Sequence, residues 1–159
     1  MNKRHRQKLL ARLVSILEGH GAACTLLDEH QAESARERWR AIYAKPLFVS
    51  TGLWVRDGFD WHIFSFGDAP ALEEKAALAA YASKSPPELL LLSAGPHVEF
   101  GLRATIAQPQ LPTFDGVDVL VFPPSARWTM VFTHEVGCFG PYFAEATARP
   151  RVRPHRSSP

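Results

Sequence analysis

The amino-acid sequence predicts an α+β fold, with a mainly antiparallel sheet of about five to six strands and about three helices packed on it. Apolar residues recur at helical spacing in the first third of the chain, and short β-branched and aromatic runs dominate the rest. Short turns containing proline or glycine join the later runs, so we expect antiparallel neighbours with the helices on one face of the sheet. The length predicts a single domain, which we place at residues 1–148.

Three segments have the spacing of amphipathic helices. The first covers residues 3–18, the second 30–44 and the third 70–83. Asp28 is expected to cap the second helix, because its carboxylate can accept from a backbone N–H of the first turn. Asp68 and Pro70 are expected to mark the start of the third.

The strands follow from shorter apolar runs bounded by turn residues. A buried strand is expected at 22–27, and 88–93 suits a central strand because it is apolar on both faces. Residues 97–106 alternate, which predicts one face open to water. The other predicted strands are the two arms of a hairpin around Asp57-Gly58 within residues 47–66, residues 117–122 and residues 127–134.

The last predicted strand carries the first candidate catalytic residues, His134 and Glu135. Alternation extends the row of Trp128, Met130 and Phe132 to His134 at its rim, where burial and a carboxylate can tune an imidazole. Glu135 would point to the other side, so the two residues can cooperate only if the strand ends between them. The alternative is a rim histidine bonded to backbone beside a solvated Glu135.

A second aromatic segment, "GFDWHIFSF", is interpreted as a strand that places His62 on one face with Phe64 and Phe66. If it lies beside the last strand, His62, His134 and Asp60 meet at one edge of the sheet. The candidate binding residues are His62, Trp61, Trp128, Tyr142 and Asp60.

No metal and no cofactor are expected. His62, His134, Glu135 and Cys138 are conceivable zinc ligands, but the chain has no C-x-x-C or H-E-x-x-H spacing and no glycine-rich phosphate loop. The two cysteines, Cys24 and Cys138, indicate buried free thiols in a reducing cytoplasm, and the alternative is a single bridge in an exported protein. No apolar run is long enough for membrane insertion.

Charge is distributed unevenly. Nine of the 18 basic residues lie in the first twelve and last eleven residues, whereas all 16 acidic residues lie between them. A nucleic-acid-binding domain would carry its positive charge on the folded surface, so a nucleic-acid partner is not favoured. Residues 149–159 form a basic tail that is predicted to be disordered.

Two segments carry a resemblance to a family of small bacterial proteins of unknown function. The chain resembles it over roughly residues 35–143, and the resemblance implies an α+β fold and a cytoplasmic, bacterial protein, without an activity. The positions that carry it are Trp61, His62, Phe64, Ser65, Trp128, Thr129, Thr133, His134, Glu135, Gly140, Pro141, Tyr142 and Phe143.

Three functions remain open from the sequence. An acidic body without a catalytic motif favours a non-catalytic module that binds a protein partner, as toxin-neutralising immunity proteins do. The alternative is a small hydrolase that uses His134 as general base, oriented by Glu135 or Asp60. A third possibility is weak nucleic-acid binding through the basic termini.

Overall fold

The computed structural model describes residues 3–47, 59–95, 97–135 and 137–146. The helices are α1 (Lys3–Gly19), α2 (Glu29–Tyr43), α3 (His62–Ser65) and α4 (Glu74–Ala82). The strands are β1 (Ala23–Leu26), β2 (Leu72–Glu73), β3 (Glu88–Ser93), β4 (Gly101–Thr105), β5 (Val119–Phe122), β6 (Trp128–Phe132) and β7 (Tyr142–Glu145).

The seven strands in the described part of the chain form one sheet, in the order β1-β4-β3-β5-β6-β7-β2, and every neighbouring pair is antiparallel. The predicted α+β class with a mainly antiparallel sheet is therefore confirmed, with slightly more strands than expected. The apolar run of β3 lies inside the sheet between β4 and β5, as its two-sided apolar character predicts.

Helices cover both faces of the sheet, so the prediction of helices on one face is wrong. One core contains Leu13 of α1 and Tyr81 of α4, and the other contains Trp39 of α2 and Phe64 of α3. Strand β6 is buried on both faces, and its polar residue Thr129 is satisfied because its hydroxyl accepts the indole N–H of Trp39 at 2.9 Å. Thr129 therefore faces the core that contains Trp39, and not water.

The first two helices form where predicted. At the start of α2, Asp28 Oδ1 accepts from the backbone N–H of Gln31 at 2.7 Å, and Gln31 Oε1 accepts from the backbone N–H of Asp28 at 3.1 Å. This reciprocal capping box confirms the predicted N-cap. At Gly101, a Cβ atom would lie 2.9 Å from Ala32 Cβ, so only glycine lets α2 approach β4 this closely.

The predicted third helix begins four residues late. Residues 72–73 form β2 instead, because Leu72 pairs with Phe143 at the end of the sheet. The helix therefore starts at Glu74, whose backbone N–H donates to the carbonyl of Pro141 at 3.0 Å. Asp68 and Pro70 precede β2 and do not mark a helix start.

The predicted hairpin arm at residues 59–66 is wrong, and the other arm and the turn at Asp57-Gly58 fall on residues 48–58, outside the described residues. The segment forms a turn and then α3, with the N–H of Phe66 donating to the carbonyl of His62 at 3.0 Å. A helical turn buries Trp61, Ile63 and Phe64 together, which a strand would not do because it sends neighbouring side chains to opposite faces.

Three strands differ in detail from the prediction. Strand β1 is present, but it lies at the edge of the sheet and is mostly exposed, so the predicted burial of 22–27 is wrong. Strand β4 begins at Gly101 rather than at residue 97, and β6 ends at Phe132, two residues before His134. The predicted tail at 149–159 and the boundary at 148 lie outside the described residues. In the part of the chain that the structure describes, every helix is too short or too polar to cross a bilayer.

Candidate functional site

The end of β6 places His134 on the surface. After Phe132 the chain leaves the sheet, and the hydroxyl of Thr133 donates to the carbonyl of Phe139 at 2.5 Å, which holds the departing loop. His134 and Glu135 therefore follow the strand rather than continue its alternation. The strand ends before both residues rather than between them, and His134 Nε2 lies 3.7 Å from Glu135 Oε1.

Asp118 fixes the His134 ring. Its Oδ2 lies 2.7 Å from His134 Nδ1, and its Oδ1 accepts from the backbone N–H of His134 at 3.1 Å. The backbone of Asp118 is itself held, because its carbonyl accepts from the N–H of Ala94 at 3.2 Å. An Nδ1–H that donates to Asp118 leaves Nε2 as the acceptor nitrogen, the arrangement that orients a general base. The side chain of His134 remains 53% exposed.

A cleft of about 470 Å³ opens beside this pair. His5 and Leu9 of α1 form one wall, and Phe59 and Ser93 contribute to the others. The Ser93 hydroxyl is already engaged, since it accepts from the N–H of Glu99 at 2.8 Å and donates to the carbonyl of His97 at 3.4 Å. Across the described ranges, no hydroxyl or thiol forms a hydrogen bond with His134, so the base has no protein nucleophile beside it.

Asp60 does not orient His134. It is fully buried, and its Oδ2 accepts from Arg36 Nε at 2.8 Å while its Oδ1 accepts from Arg40 Nη2 at 3.0 Å. Arg36 also donates to the carbonyl of Gly95. We call Asp60, Arg36 and Arg40 the buried ion cluster; it ties the segment before α3 to helix α2.

Four rings form a continuous band on the surface, which we call the ring strip: Phe66, His62, Phe59 and His134. Consecutive centroids lie 5.2, 5.5 and 6.3 Å apart. Phe66 and His134 are exposed, and the two rings between them are half-buried. The structure thus brings His62 and His134 into one surface region, with Phe59 between them instead of Asp60.

Two other predicted binding residues lie beneath the ring strip. The indole of Trp61 lies 4.2 Å from the His62 ring and stacks on Tyr142 at 6.3 Å. Both residues are buried, and burial together with the charges of Glu73 and Glu135 raises the pKa of Tyr142 to about 12. Within the described residues, the indole N–H of Trp61 has no hydrogen-bond partner. These side chains support the ring strip from below and do not form its surface.

Trp128 lies at the other end of β6, opposite Glu145, where it stacks on Phe143 with centroids 6.0 Å apart. The structure therefore separates it from the other candidates. No group of three or more potential metal-ligating side chains occurs among the residues that the structure describes.

Sequence reasoning missed two residues of this region, Asp118 and Phe59, whereas Phe66 was expected on the same face as His62. A signal for Asp118 existed, because the two strands around Pro123-Pro124 were predicted as neighbours. Antiparallel pairing of Val119 with Phe132 brings the residue before one strand next to the residues after the other. Phe59 was missed because alternation along a strand would place it on the face opposite His62, whereas the segment forms a turn and then α3.

The fold and the site define a class: a small α+β protein with an exposed histidine–carboxylate pair and an aromatic band at one end of its sheet. The chain belongs to the family described as domain of unknown function DUF4275, whose model matches residues 32–143. This match confirms the resemblance drawn from the sequence, and the matched range includes the ring strip, Asp118 and the buried ion cluster. No curated protein and no solved structure shows significant similarity to the chain.

Proposed function

We propose that this chain is a non-catalytic protein-binding module and that the ring strip is its contact surface. The observation that carries the proposal is the row of four adjoining rings left partly open to solvent, although the sheet buries aromatic residues on both faces. Aromatic side chains on a well-packed base contribute most of the binding energy in many protein interfaces.

The base of the strip is buried and hydrogen-bonded. The buried ion cluster anchors the chain at Asp60, directly between Phe59 and Trp61, and the Trp61–Tyr142 stack supports His62. A surface that is ordered before binding loses little conformational entropy when a partner docks. The ring strip therefore has the preorganisation that a recognition surface requires.

Carboxylates beside the rings indicate the chemistry of the partner. Asp118 and Glu135 both lie within ion-pair distance of His134 at one end of the strip. Ring faces together with carboxylates complement apolar side chains and a guanidinium or ammonium group. We expect a protein partner that presents arginine or lysine next to apolar residues, and neutralisation of a toxin in the manner of an immunity protein is one such role.

The experiment is co-purification of the tagged full chain from its host cells, compared with the double variant Phe66→Ala/His62→Ala. A stoichiometric protein partner should elute with the unmodified chain and fall at least tenfold with the variant. Leu72→Ala is the matched control, because Leu72 is a large apolar residue with the same exposure as Phe66, 48%, but lies on β2, outside the ring strip. Elution without a stoichiometric partner, or equal loss in the control, would contradict the proposal.

A second candidate function is acid–base hydrolysis at His134, favoured by its fixed orientation on Asp118 at the edge of the cleft. Because Ser93 is engaged, Nε2 would take a proton from a water molecule whose oxygen attacks the substrate. The test is a panel of ester, amide and phosphoester substrates. Asp118→Asn should lower kcat by at least tenfold without unfolding the protein, and an inactive unmodified chain would exclude this function for the bonds tested.

A further inference from the structure

The two edges of the sheet differ in how they are protected. At one edge, β2 has only two residues, one of them Glu73, and follows closely on Pro70. At the other edge lies β1, and in the described part of the chain no strand pairs with its outer side. Short length, charge and proline all hinder pairing with another chain, so β2 is protected against pairing with a strand of another molecule.

Strand β1 has four residues, twice as many as β2, and lacks the charge and the proline. Residues 22–27 contain neither a charged residue nor a proline. Leu26 is 65% exposed, the highest value among the large apolar residues that the structure describes. Leu10 and Val14 of α1, the helix that packs against β1, are also only partly buried. The edge is therefore apolar as well as unpaired.

The register identifies the backbone groups that remain open. The N–H of Leu27 donates to the carbonyl of Gly101 at 2.9 Å. Thr25, two residues before Leu27, pairs with Arg103, two residues after Gly101. Hydrogen-bonded pairs alternate along an antiparallel ladder, so Ala23 and Thr25 bond to β4. The N–H and C=O groups of Cys24 and Leu26 then point outward, toward a strand that the described residues do not supply.

We propose that β1 pairs with β1 of a second copy of this chain, antiparallel about a two-fold axis at Thr25. In that register Cys24 of one copy bonds to Leu26 of the other, and the two apolar residues meet with no charged residue in either strand. Self-pairing satisfies all four outward backbone groups of each copy. A two-fold axis also closes the assembly, so the edge does not continue into a filament.

This inference goes beyond the proposed function and rests on different residues. Strands β4, β3 and β5 separate β1 from β6, which leads into His134, so dimerisation leaves both ring strips open. Failure of partner binding at the ring strip would leave the dimer untouched, and a monomeric chain would leave the ring strip untouched.

A disulfide trap tests the register. In a background of Cys24→Ser and Cys138→Ser, Thr25→Cys places two thiols in a non-hydrogen-bonded pair with Cβ atoms about 4.5–5.5 Å apart, close to disulfide geometry. Ala23→Cys is the matched control on the same strand and face, but its two copies would lie roughly 13 Å apart. Under mild oxidation the full-length Thr25→Cys chain should become a covalent dimer, and the Ala23→Cys chain should not.

Sedimentation of the unmodified chain supplies the second measurement. It should show a concentration-dependent dimer, and Leu26→Lys should raise the dissociation constant at least tenfold by placing charge on the edge. A chain that stays monomeric at high concentration with no Thr25→Cys cross-link would overturn the proposal. Equal cross-linking of both cysteine variants would also overturn it, since that outcome indicates random collision.

Discussion

The molecule contains two carboxylate clusters whose ion-pair distances are nearly equal but whose exposure to solvent differs greatly. Asp60 binds Arg36 at 2.8 Å with both side chains at most 1% exposed. Asp118 binds His134 at 2.7 Å, but the histidine is 53% exposed and the aspartate 21%. Distance alone would rank the two contacts as equivalent. Their surroundings assign them different roles.

Burial makes the first cluster structural. A charge inside protein that loses its partner has no water to replace it, so breaking a buried pair typically costs about 3–5 kcal/mol. Water and salt screen an exposed pair, whose contribution is usually about 0–1 kcal/mol. The Asp60 cluster therefore holds the fold together, and the Asp118–His134 pair orients a side chain at little cost to stability.

The largest expected effect is that of Asp60→Ala. It leaves the buried Arg36 guanidinium without its carboxylate, so the free energy of unfolding should fall by about 3–5 kcal/mol, measured by urea denaturation. Asp115→Ala, at an exposed position, is the control and should change stability by less than about 0.5 kcal/mol. An Asp60→Ala loss below about 1 kcal/mol would remove the distinction between the clusters.

The three tyrosines test the effect of burial on ionisable side chains at alkaline pH. Burial raises the pKa of Tyr43 and of Tyr81 above the usual range, and that of Tyr142 to about 12. An unfolded tyrosine ionises near pH 10, so this stabilisation is complete below that pH and is lost as pH rises through the folded pKa. Tyrosinate absorbance should therefore appear together with loss of the circular dichroism signal. Phenolate formation in a chain that keeps its native signal would contradict the burial of these side chains.

A smaller effect is expected for Asp118→Asn, which should lower the free energy of unfolding by at most about 1 kcal/mol because the pair is exposed. The same change should alter the environment of the His134 ring, observable as a shift of its imidazole resonances. A destabilisation as large as that of Asp60→Ala would mean that the site is part of the structural framework.

The smallest effect is expected at Glu37, which binds Lys45 at 3.1 Å with both side chains more than half exposed. The hydrogen bond from Lys45 lowers the pKa of Glu37, so the stability it contributes is present above the usual carboxyl pKa and is lost as pH falls. Solvent screening keeps this contribution small, and Glu37→Gln should change the free energy of unfolding by less than about 0.5 kcal/mol in urea. A loss above about 1 kcal/mol would show that screening is weaker here than assumed.

The sequence predicted those parts of the fold that local chemistry determines. Asp28 followed by Gln31 has the pattern of a capping box, and the run from Leu89 to Leu92 is apolar on both faces, so α2 and β3 were foreseeable. Helix α3 was not, because Trp61, Ile63 and Phe64 are buried by side chains distant in sequence, among them Tyr142. The second core was hidden for a similar reason, since only Trp39 makes Thr129 an interior residue.

The candidate site was foreseeable in part. His134 was selected as the end of an aromatic row, and His62 was expected in its neighbourhood, where the ring strip places it. The orienting carboxylate was expected to be Glu135 or Asp60, whereas Asp118 is the residue whose carboxylate lies 2.7 Å from His134 Nδ1. Two arginines on α2 take the Asp60 carboxylate into the interior, a consequence of helix packing that short-range sequence patterns do not contain.

Strand β5 determines how cooperatively the protein unfolds. Val119 and Val121 belong to one core, Leu120 and Phe122 to the other, so a single strand forms a wall of both. Neither half can melt while the other persists, because losing β5 opens the two interiors at once. Amide hydrogens of this strand should therefore exchange with deuterium only when the whole chain unfolds.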